Sequence, residues 1–585
     1  MEDNRMNDNQ TQSSSSLLLG IFGHLSRRRR IQLGLLLVVM LASGGAELVS
    51  LGAVLPFLTV LSAPERLWQQ PLVQALASRA GFTAASQLLL PATLAFAAAA
   101  VFAALIRLAN LWLNGRLAAA VGSDMSCEAY RRTLYQPYGV HVQRNSSTVI
   151  NTITTQVLRS VEAFRNALLL ATSVVVASSL FIGLLLIDWK MALGAAGLFG
   201  SAYGLIGTVS RRKLSRNSGQ IAAASAQVLK AVQESLGSIR DVLLDGSQPF
   251  YQEIYRKADW RQRQLQAKND FLGVSPRYSL EALGMVAIAL LGWLMVLHQG
   301  SGRGVIPLLG ALGLGAQRLL PALQQAYAAW ASLKGLNADL AGVLVMLEQP
   351  MPPAMQVATP MAFNKAIQLQ GVRFRYGPQL PEVLRGLDLE IRRGERIGLV
   401  GTTGSGKSTT VDLLMGLLKP SGGRLLVDGL DLHDPKHPER LNAWRAAIAH
   451  VPQSIYLTDS SIAENIAFGI PKDQIDLARV RDAAEQAQIA NFIEGSADGY
   501  QSFVGESGIR LSGGQRQRIG IARALYKRAR VLVFDEATSA LDNETERAVM
   551  EAVNSLRKEL TLVMIAHRLS TVKDCDRIIE LRLSR

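Results

Sequence analysis

The sequence predicts a multi-domain chain: an all-α polytopic membrane domain of six transmembrane helices with cytosolic helical extensions, followed by an α/β P-loop domain. Three observations carry this. Of 585 residues, 49% are hydrophobic and mean hydropathy is positive, high for a soluble protein. Apolar runs of membrane-spanning type recur through the first half of the chain. Beyond them, apolar strand patterns alternate with helical ones around a glycine-rich loop, Gly401 to Thr409, reading GTTGSGKST.

Taken in order, residues 1–30 read as a cytosolic tail and basic pre-helix. The first sixteen residues are polar and rich in Ser, Asn and Gln, as disordered segments are; Ser26 and Arg27 to Arg30 then introduce the first apolar run. That run, Ile31 to Val60, is interrupted only by Glu47 and is too long for a cleaved leader, so it reads as a signal anchor. Five more spans are predicted at Leu88–Leu113, Ala167–Ile187, Met191–Ser210, Ala282–Leu297 and Gly304–Tyr327, completing a membrane domain over 31–333.

Basic residues set the orientation. The stretch after the fourth span carries Arg211, Arg212, Lys213, Arg216, Lys230 and Arg240, whereas Asp188–Lys190 and His298–Arg303 are short and nearly neutral, so the former faces the cytosol and the latter two face outward. Six spans then leave both termini cytosolic. Helix-friendly stretches around 123–165 and 211–277 extend below the membrane, and Tyr138–Ser147 and Leu243–Gln252 break their periodicity as docking elbows. The net charge of +15 follows from these flanking bases and suits anionic membrane lipids. It is not interleaved with stacking aromatics, so no nucleic acid is expected as partner. Cys127 and Cys575 have no metal-ligand spacing and read as free thiols.

Pro350, Pro352 and Pro353 punctuate a linker over 334–365, and the rest, 366–585, reads as the α/β domain. Strands are predicted at Ile367–Tyr376, Val383–Ile391 and Glu395–Val400, the last feeding the glycine loop, with an apolar helix after it. Strand, glycine loop and helix are the context in which backbone N–H groups cradle phosphates. Gly401, Thr402, Thr403, Gly404, Ser405, Gly406, Lys407, Ser408 and Thr409 are therefore the expected ATP-binding loop. Within it Lys407 reaches the β and γ oxygens and the Ser408 hydroxyl ligates Mg²⁺. VLVFDE, Val531 to Glu536, is an apolar strand ending in two carboxylates: Asp535 for Mg²⁺ and Glu536 as general base toward the attacking water. Gln453 is placed to sense metal and γ-phosphate, and His567, after TLVMIA, to hold the γ-phosphate from the far side.

Leu511, Ser512, Gly513, Gly514 and Gln515 read LSGGQ downstream of the loop. With this order of motifs, 366 to about 579 resembles the nucleotide-binding domain of ATP-binding cassette (ABC) transporters. The resemblance implies that Tyr376 stacks on adenine, that Gln453 is the Q-loop glutamine, that Ser539, Ala540, Leu541 and Asp542 form the D-loop, and that His567 is the switch histidine. Glu506, in VGESG, matches a segment typical of exporters, and six spans fused to one cassette resemble an exporter half-transporter of a bacterial inner membrane. In the family LSGGQ grips ATP held by the opposite cassette, so a second copy of the chain is the implied partner, with two composite ATP sites. Ser512 and the amides of Gly513 and Gly514 suit a γ-phosphate, being donors at the positive end of a helix.

Intramembrane charges point to the cargo. At 1.5 Å per residue, Arg318 lies about 21 Å and Arg107 about 28 Å below the outer ends of their spans, while Glu47 lies about 24 Å above the inner end of its own. On that count the two arginines share the inner half and Glu47 does not pair with them. Unpaired guanidiniums in a cavity suit an anionic head group such as pyrophosphate. Ser62–Phe82 carries an apolar stripe, Leu72, Val73, Leu76 and Ala80, suited to the outer membrane surface. This helix, with the run Ala46–Leu58, resembles bacterial flippases of lipid-linked oligosaccharides. The expected substrate is an anionic lipid-linked oligosaccharide or glycolipid. A multidrug or lipid A-type exporter shares every cassette residue, and an ATP-gated channel-like protein is the reading from another class.

Overall fold

The computed structural model describes residues 13–62, 65, 68–70, 73–74, 82, 84–187, 189–299, 305–351, 359–535, 547, 551, 560–566 and 572–582. It divides into two compact units. One is Met1–Gln136 with Arg144–Met351; the other is Pro137–Gln143 with Pro352–Arg585.

The first unit is entirely helical. Helix α1 (Ser14–His24) starts where a disordered tail is expected from composition: Ser13 caps it, accepting from the Ser16 amide, and Leu17 and Ile21 bury its apolar side. Ser14 to Ser16 therefore belong to a helix. The overriding factor is tertiary, since Leu17 and Ile21 pack with Leu340 and Leu344 and the Ser14 hydroxyl donates to Asn337 Oδ1 at 2.5 Å.

Helices α2 (Arg27–Ser62) and α3 (Leu89–Leu134) follow. Between them Trp68, Val73 and Phe82 pack against Val60 and Leu88; Leu72, Leu76 and Ala80 of the expected external stripe lie outside the described residues. The first elbow holds a short helix, α4 (Tyr138–Gln143), which belongs to the second unit; back in the first, α5 (Ser146–Asn151) passes through a π-turn, Thr152–Gln156, into α6 (Val157–Ile187). After α7 (Trp189–Gly237) and α8 (Ile239–Leu244), Asp245–Ser247, with Gly246 at φ +62°, breaks the chain before α9 (Gln248–Gln299), inside the expected elbow Leu243–Gln252. The first expected break, Tyr138–Ser147, thus holds a short helix bounded by turns, whereas the second, Leu243–Gln252, interrupts the helical run as expected.

Helices α10 (Val305–Gly335) and α11 (Asn337–Leu347) complete the unit. The 46, 49 and 52 residues of α3, α7 and α9 correspond to about 70–80 Å, more than twice a bilayer core, so these helices have extensions beyond the membrane as well as spans. Among the described residues four helical stretches are long and apolar enough to cross a membrane: Arg27–Ser50, Leu89–Leu134, Ser146–Leu186 and Ala192–Gly237. The expected fifth and sixth spans fall on α9 and α10, where many side chains lie outside the described set.

In the second unit, strands β1 (Ala366–Phe374), β2 (Leu384–Arg392), β3 (Arg396–Val400), β4 (Gly422–Val427), β5 (Leu430–Asp431), β6 (Ile448–Val451), β7 (Val531–Asp535), β8 (Thr561–Ile565) and β9 (Arg577–Glu580) form two sheets. One is antiparallel in the order β2-β1-β4-β5; the other is parallel, β6-β7-β8-β3-β9. Helices α12 (Lys407–Leu414) and α13 (Glu439–Ala447) pack between the sheets around fully buried Trp444, whose Nε1 donates to the Leu414 carbonyl at 2.7 Å. Helices α14 (Ile462–Ile466), α15 (Leu477–Gln486), α16 (Ala490–Glu494) and α17 (Gly513–Tyr526) build a second core, in which Ile462, Val480, Ile493 and Ile519 join Val451, Phe534 and Met564 of the parallel sheet.

Candidate functional site

In a parallel sheet, loops at the carboxyl ends of the strands share one edge. The order β6-β7-β8-β3 therefore collects the loop after β3, Asp535 at the end of β7 and Gln453 just beyond β6. Register tightens this: Val451 of β6 pairs with Phe534, the residue before Asp535. Glu536, His567 and Ser539 to Asp542 lie outside the described residues, immediately after β7 and β8.

The phosphate loop is held open by its glycines. Gly401 has φ +152°, and a Cβ there would stand 2.4 Å from the Leu581 carbonyl oxygen; Gly404 has φ +84° and faces open space. Lys407, only 6% exposed, begins α12 and folds its Nζ back over the loop, donating to the carbonyls of Gly401 at 2.9 Å and Thr402 at 3.1 Å. The Ser405 hydroxyl is buried with no hydrogen-bond partner among the described residues. A cradle of exposed loop, an ammonium poised on carbonyls it can leave, and an unsatisfied hydroxyl together fit a polyphosphate. Ser408 on α12 and Asp535 on β7 offer the hard oxygen donors that Mg²⁺ takes beside substrate phosphates.

Tyr376 follows β1 and is half-buried. Its ring stands edge-on to Phe374, its hydroxyl bonds with Thr409 Oγ1 at 3.1 Å, and its carbonyl accepts from Gln143 Nε2 at 2.6 Å. The first elbow thus reaches the loop's aromatic. Burial, then the charge of Asp412, raises the pKa of the Tyr138 phenol on the same elbow. Asp412 itself is pushed up to about 6 by burial and by Asp535. Sequence reasoning missed both residues. The available signal was spacing, since Asp412 lies one helical turn beyond Ser408 on α12.

LSGGQ forms the N-terminus of α17. Ser512 Oγ accepts from the Gln515 amide at 3.3 Å while Gln515 Oε1 accepts from the Ser512 amide at 2.8 Å, a capping box that leaves Ser512 and Gly513 exposed. Leu511 anchors the motif in the helical core, whereas α12 packs in the core between the sheets.

In the first unit, Glu47 and Arg107 form an ion pair, Oε1 to Nη1 at 2.7 Å, with Glu47 buried and Arg107 half-exposed. This corrects the expectation that they sit at different depths. The expected depths were counted from opposite ends of helices that outrun the bilayer. Counted back from the stacked rings of Phe57 and Phe96, 4.8 Å apart, the two charges lie ten and eleven residues away on neighbouring helices and meet. The side chain of Arg318 lies outside the described residues.

Glu47 and Arg107 line a cavity of about 870 Å³ between α2, α3, α6, α9 and α10. Its wall carries a polar set that sequence reading missed: Asn110, Asn114, Arg277, Glu281, Gln324 and Gln325. Arg277 Nε and Gln324 Nε2 both donate to Glu281 Oε1, at 3.1 and 3.3 Å. Ser43 also lines the cavity, and among the described residues Ser43 Oγ and Asn114 Oδ1 are buried without a hydrogen-bond partner.

Comparison with known proteins accords with both units. The model of the ABC transporter transmembrane region matches residues 33–296, and that of the ABC transporter domain matches 384–539. The chain is 32% identical over 469 residues to an ATP-dependent lipid A-core flippase of Chromohalobacter salexigens, covering 78% of each chain. It is 32% identical over 482 residues to the flippase so named in Chromobacterium violaceum, covering 81% of this chain and 80% of that one. Against the heterocyst differentiation ATP-binding protein HepA of Nostoc it is 30% identical over 448 residues, 76% and 72% of the two chains. A solved bacterial Atm1-family ABC exporter with ATP bound superimposes with a TM-score of 0.75 at 24% identity, over 96% of this chain and 94% of that one, which shows the shared fold. Helical membrane unit, P-loop sheet edge, LSGGQ-capped helix and these relatives place the protein in one family: it belongs to the ABC transporters, as an exporter-type half-transporter that couples ATP hydrolysis to transport.

Proposed function

We propose that this multi-pass exporter works as a homodimer in a bacterial inner membrane, termini cytosolic, and flips an anionic lipid-linked glycolipid from the inner to the outer leaflet. The observation that carries this reading is the membrane-domain cavity, where Arg107, half-exposed beyond its pair with Glu47, lines the wall with the amides of Asn110 and Asn114. Apolar drugs would leave those groups unpaired. Arg107, beside Glu47, supplies the contact for a phosphate or pyrophosphate, and Asn110 and Asn114 the contacts for hydroxyls; Arg318 is assigned to the same role from its place in the sequence alone. A lipid A-type glycolipid is the second reading, favoured by the names of the flippase relatives; it shares the same anionic, sugar-bearing chemistry.

In this reading Tyr376 stacks on adenine, amides from Gly401 to Thr409 wrap the phosphates and Lys407 leaves its two carbonyls for phosphate oxygens. Ser408, Asp535 and Gln453 hold Mg²⁺, which when bound neutralises the charge developing between the β and γ phosphates. Glu536 takes the proton of the attacking water and His567 steadies the γ-phosphate. The exposed Ser512 and Gly513, with Leu511, Gly514 and Gln515 behind them, receive the nucleotide of a second copy, and Ser539 to Asp542 line the same junction. Closure around two ATPs and release after hydrolysis then alternate the cavity between the leaflets.

The test is flipping in liposomes. Reconstituted wild type should translocate a polyprenyl pyrophosphate-linked saccharide in an ATP-dependent manner, and Arg107→Ala and Arg318→Ala should lose that flipping while retaining ATPase. Unchanged flipping in both variants would sink the reading.

A further inference from the structure

A second cavity in the membrane-domain unit, of about 480 Å³, is walled by Arg159 and Glu162 of α6, Gln266, Asn269 and Asp270 of α9, and Ser332 of α10. It adjoins the first: Gly273, Val274 and Ala328 line both. Along α9 its polar residues, 266 to 270, precede Arg277 and Glu281 of the first cavity, so they lie further into the cytosolic extension.

Several groups in this wall are already fixed. Arg159 faces buried Asp339 at 3.8 Å, Asn269 Oδ1 accepts from Asn217 at 2.8 Å, and Ser332 Oγ accepts from Asn166 at 2.8 Å. Glu162, Gln266 and Asp270 make no hydrogen bond or ion pair with another described residue. Two carboxylates and an amide stand ready, while the one arginine faces Asp339 and is only 16% exposed, against 51% for Arg107 and 57% for Arg277 beside the first cavity. The wall therefore repels a phosphate and leaves an apolar chain with unpaired polar neighbours. It suits neutral hydroxyls, each of which donates to a carboxylate or amide oxygen and accepts from an amide N–H. The volume falls within the roughly 300–1,000 Å³ range of small-molecule sites.

We propose that this cavity is a glycan subsite: it holds the uncharged sugars of the substrate while the charged linkage lies above it, beside Arg107 and Arg277. The inference rests on the glycolipid reading and adds where the sugar goes and which residues select it. A lipid lacking the sugar would fill only the first cavity.

The test uses full-length protein in vesicles and two probes, polyprenyl pyrophosphate carrying a neutral disaccharide and the same polyprenyl pyrophosphate without sugar. ATPase stimulation is titrated for wild type, Gln266→Ala and the isosteric Asp270→Asn. In wild type the glycosylated probe should act at the lower concentration. Each variant should raise its half-stimulating concentration about tenfold, as loss of hydrogen bonds to a charged or amide group does, and leave the sugar-free probe unchanged. If the variants move both probes alike or neither, or if wild type responds equally to both, the subsite is wrong while the lipid reading stands. If neither probe stimulates wild type, and a hydrophobic drug does, the glycolipid reading itself falls.

Discussion

Glu47 and Arg107, sixty positions apart in sequence and both expected to be isolated, meet at 2.7 Å across α2 and α3. Glu47 is 4% exposed, and Arg107 is an ion-pair partner of this buried carboxylate. Arg107→Ala should cost on the order of 3 kcal/mol by stranding the buried carboxylate, whereas Glu47→Gln combined with Arg107→Ala removes the charge that would be stranded and should cost less. Thermal melts in detergent decide it: the double variant must melt above Arg107→Ala, and equal melting would show that the pair contributes packing only.

What was legible in the sequence divides along this line. Strands β1, β2, β3, β7 and β8, the loop between β3 and α12 and the N-terminus of α17 lie within a residue or two of where local pattern places them, because alternation, glycine spacing and capping are local signals. The ion pair was hidden because it depends on helix register, set by contacts such as Phe57 on Phe96. Asn110, Asn114, Gln324 and Gln325 were hidden for a related reason: one polar residue per few turns does not interrupt an apolar run, and only the packed helices bring four such residues to one cavity. Helix α1 was masked by a serine-rich composition whose neighbours, Leu17 and Ile21, find partners on α11 at the far end of the membrane domain.

The phosphate loop separates two glycines that sequence alone treats alike. Gly401→Ala meets a backbone carbonyl, that of Leu581, at 2.4 Å and must shift it, so the domain should lose about 2 kcal/mol or more along with nucleotide binding. Gly404→Ala meets nothing within 4 Å and should lose less stability while losing ATP affinity, because its methyl enters the space that phosphate takes. Melting without nucleotide, compared with nucleotide titration, distinguishes the two; identical melting losses would contradict the geometry.

Glu536 follows Asp535, the last residue of β7, directly in sequence. Glu536→Gln keeps the side chain's size but cannot take a proton from water, so steady-state turnover should fall by at least about a hundredfold. ATP should still bind and hold two copies together through the LSGGQ of each. Size-exclusion or cross-linking with ATP should show a stabilised closed dimer. Turnover near wild type would remove Glu536 from the role of general base.

Asp339, on α11, provides a pH test. Burial pushes its pKa up to about 7 against an ordinary 3.8; Arg159 at 3.8 Å works in the opposite direction, and Glu162 adds to the rise. The folded state thus holds a proton that the unfolded chain releases near pH 4. Stability contributed by this proton is full below about pH 4, falls as pH rises toward 7 and is lost above it, at about 1.4 kcal/mol for each unit of the window. Asp339→Asn keeps the volume and cannot titrate, so its melting temperature should decline less than that of wild type between pH 5 and 8. At the upper end the variant should be the more stable of the two, since it no longer has a buried carboxylate to ionise against desolvation. Melts of both proteins in the same detergent across that range give the comparison directly, and parallel curves would mean that Arg159 keeps Asp339 ionised throughout.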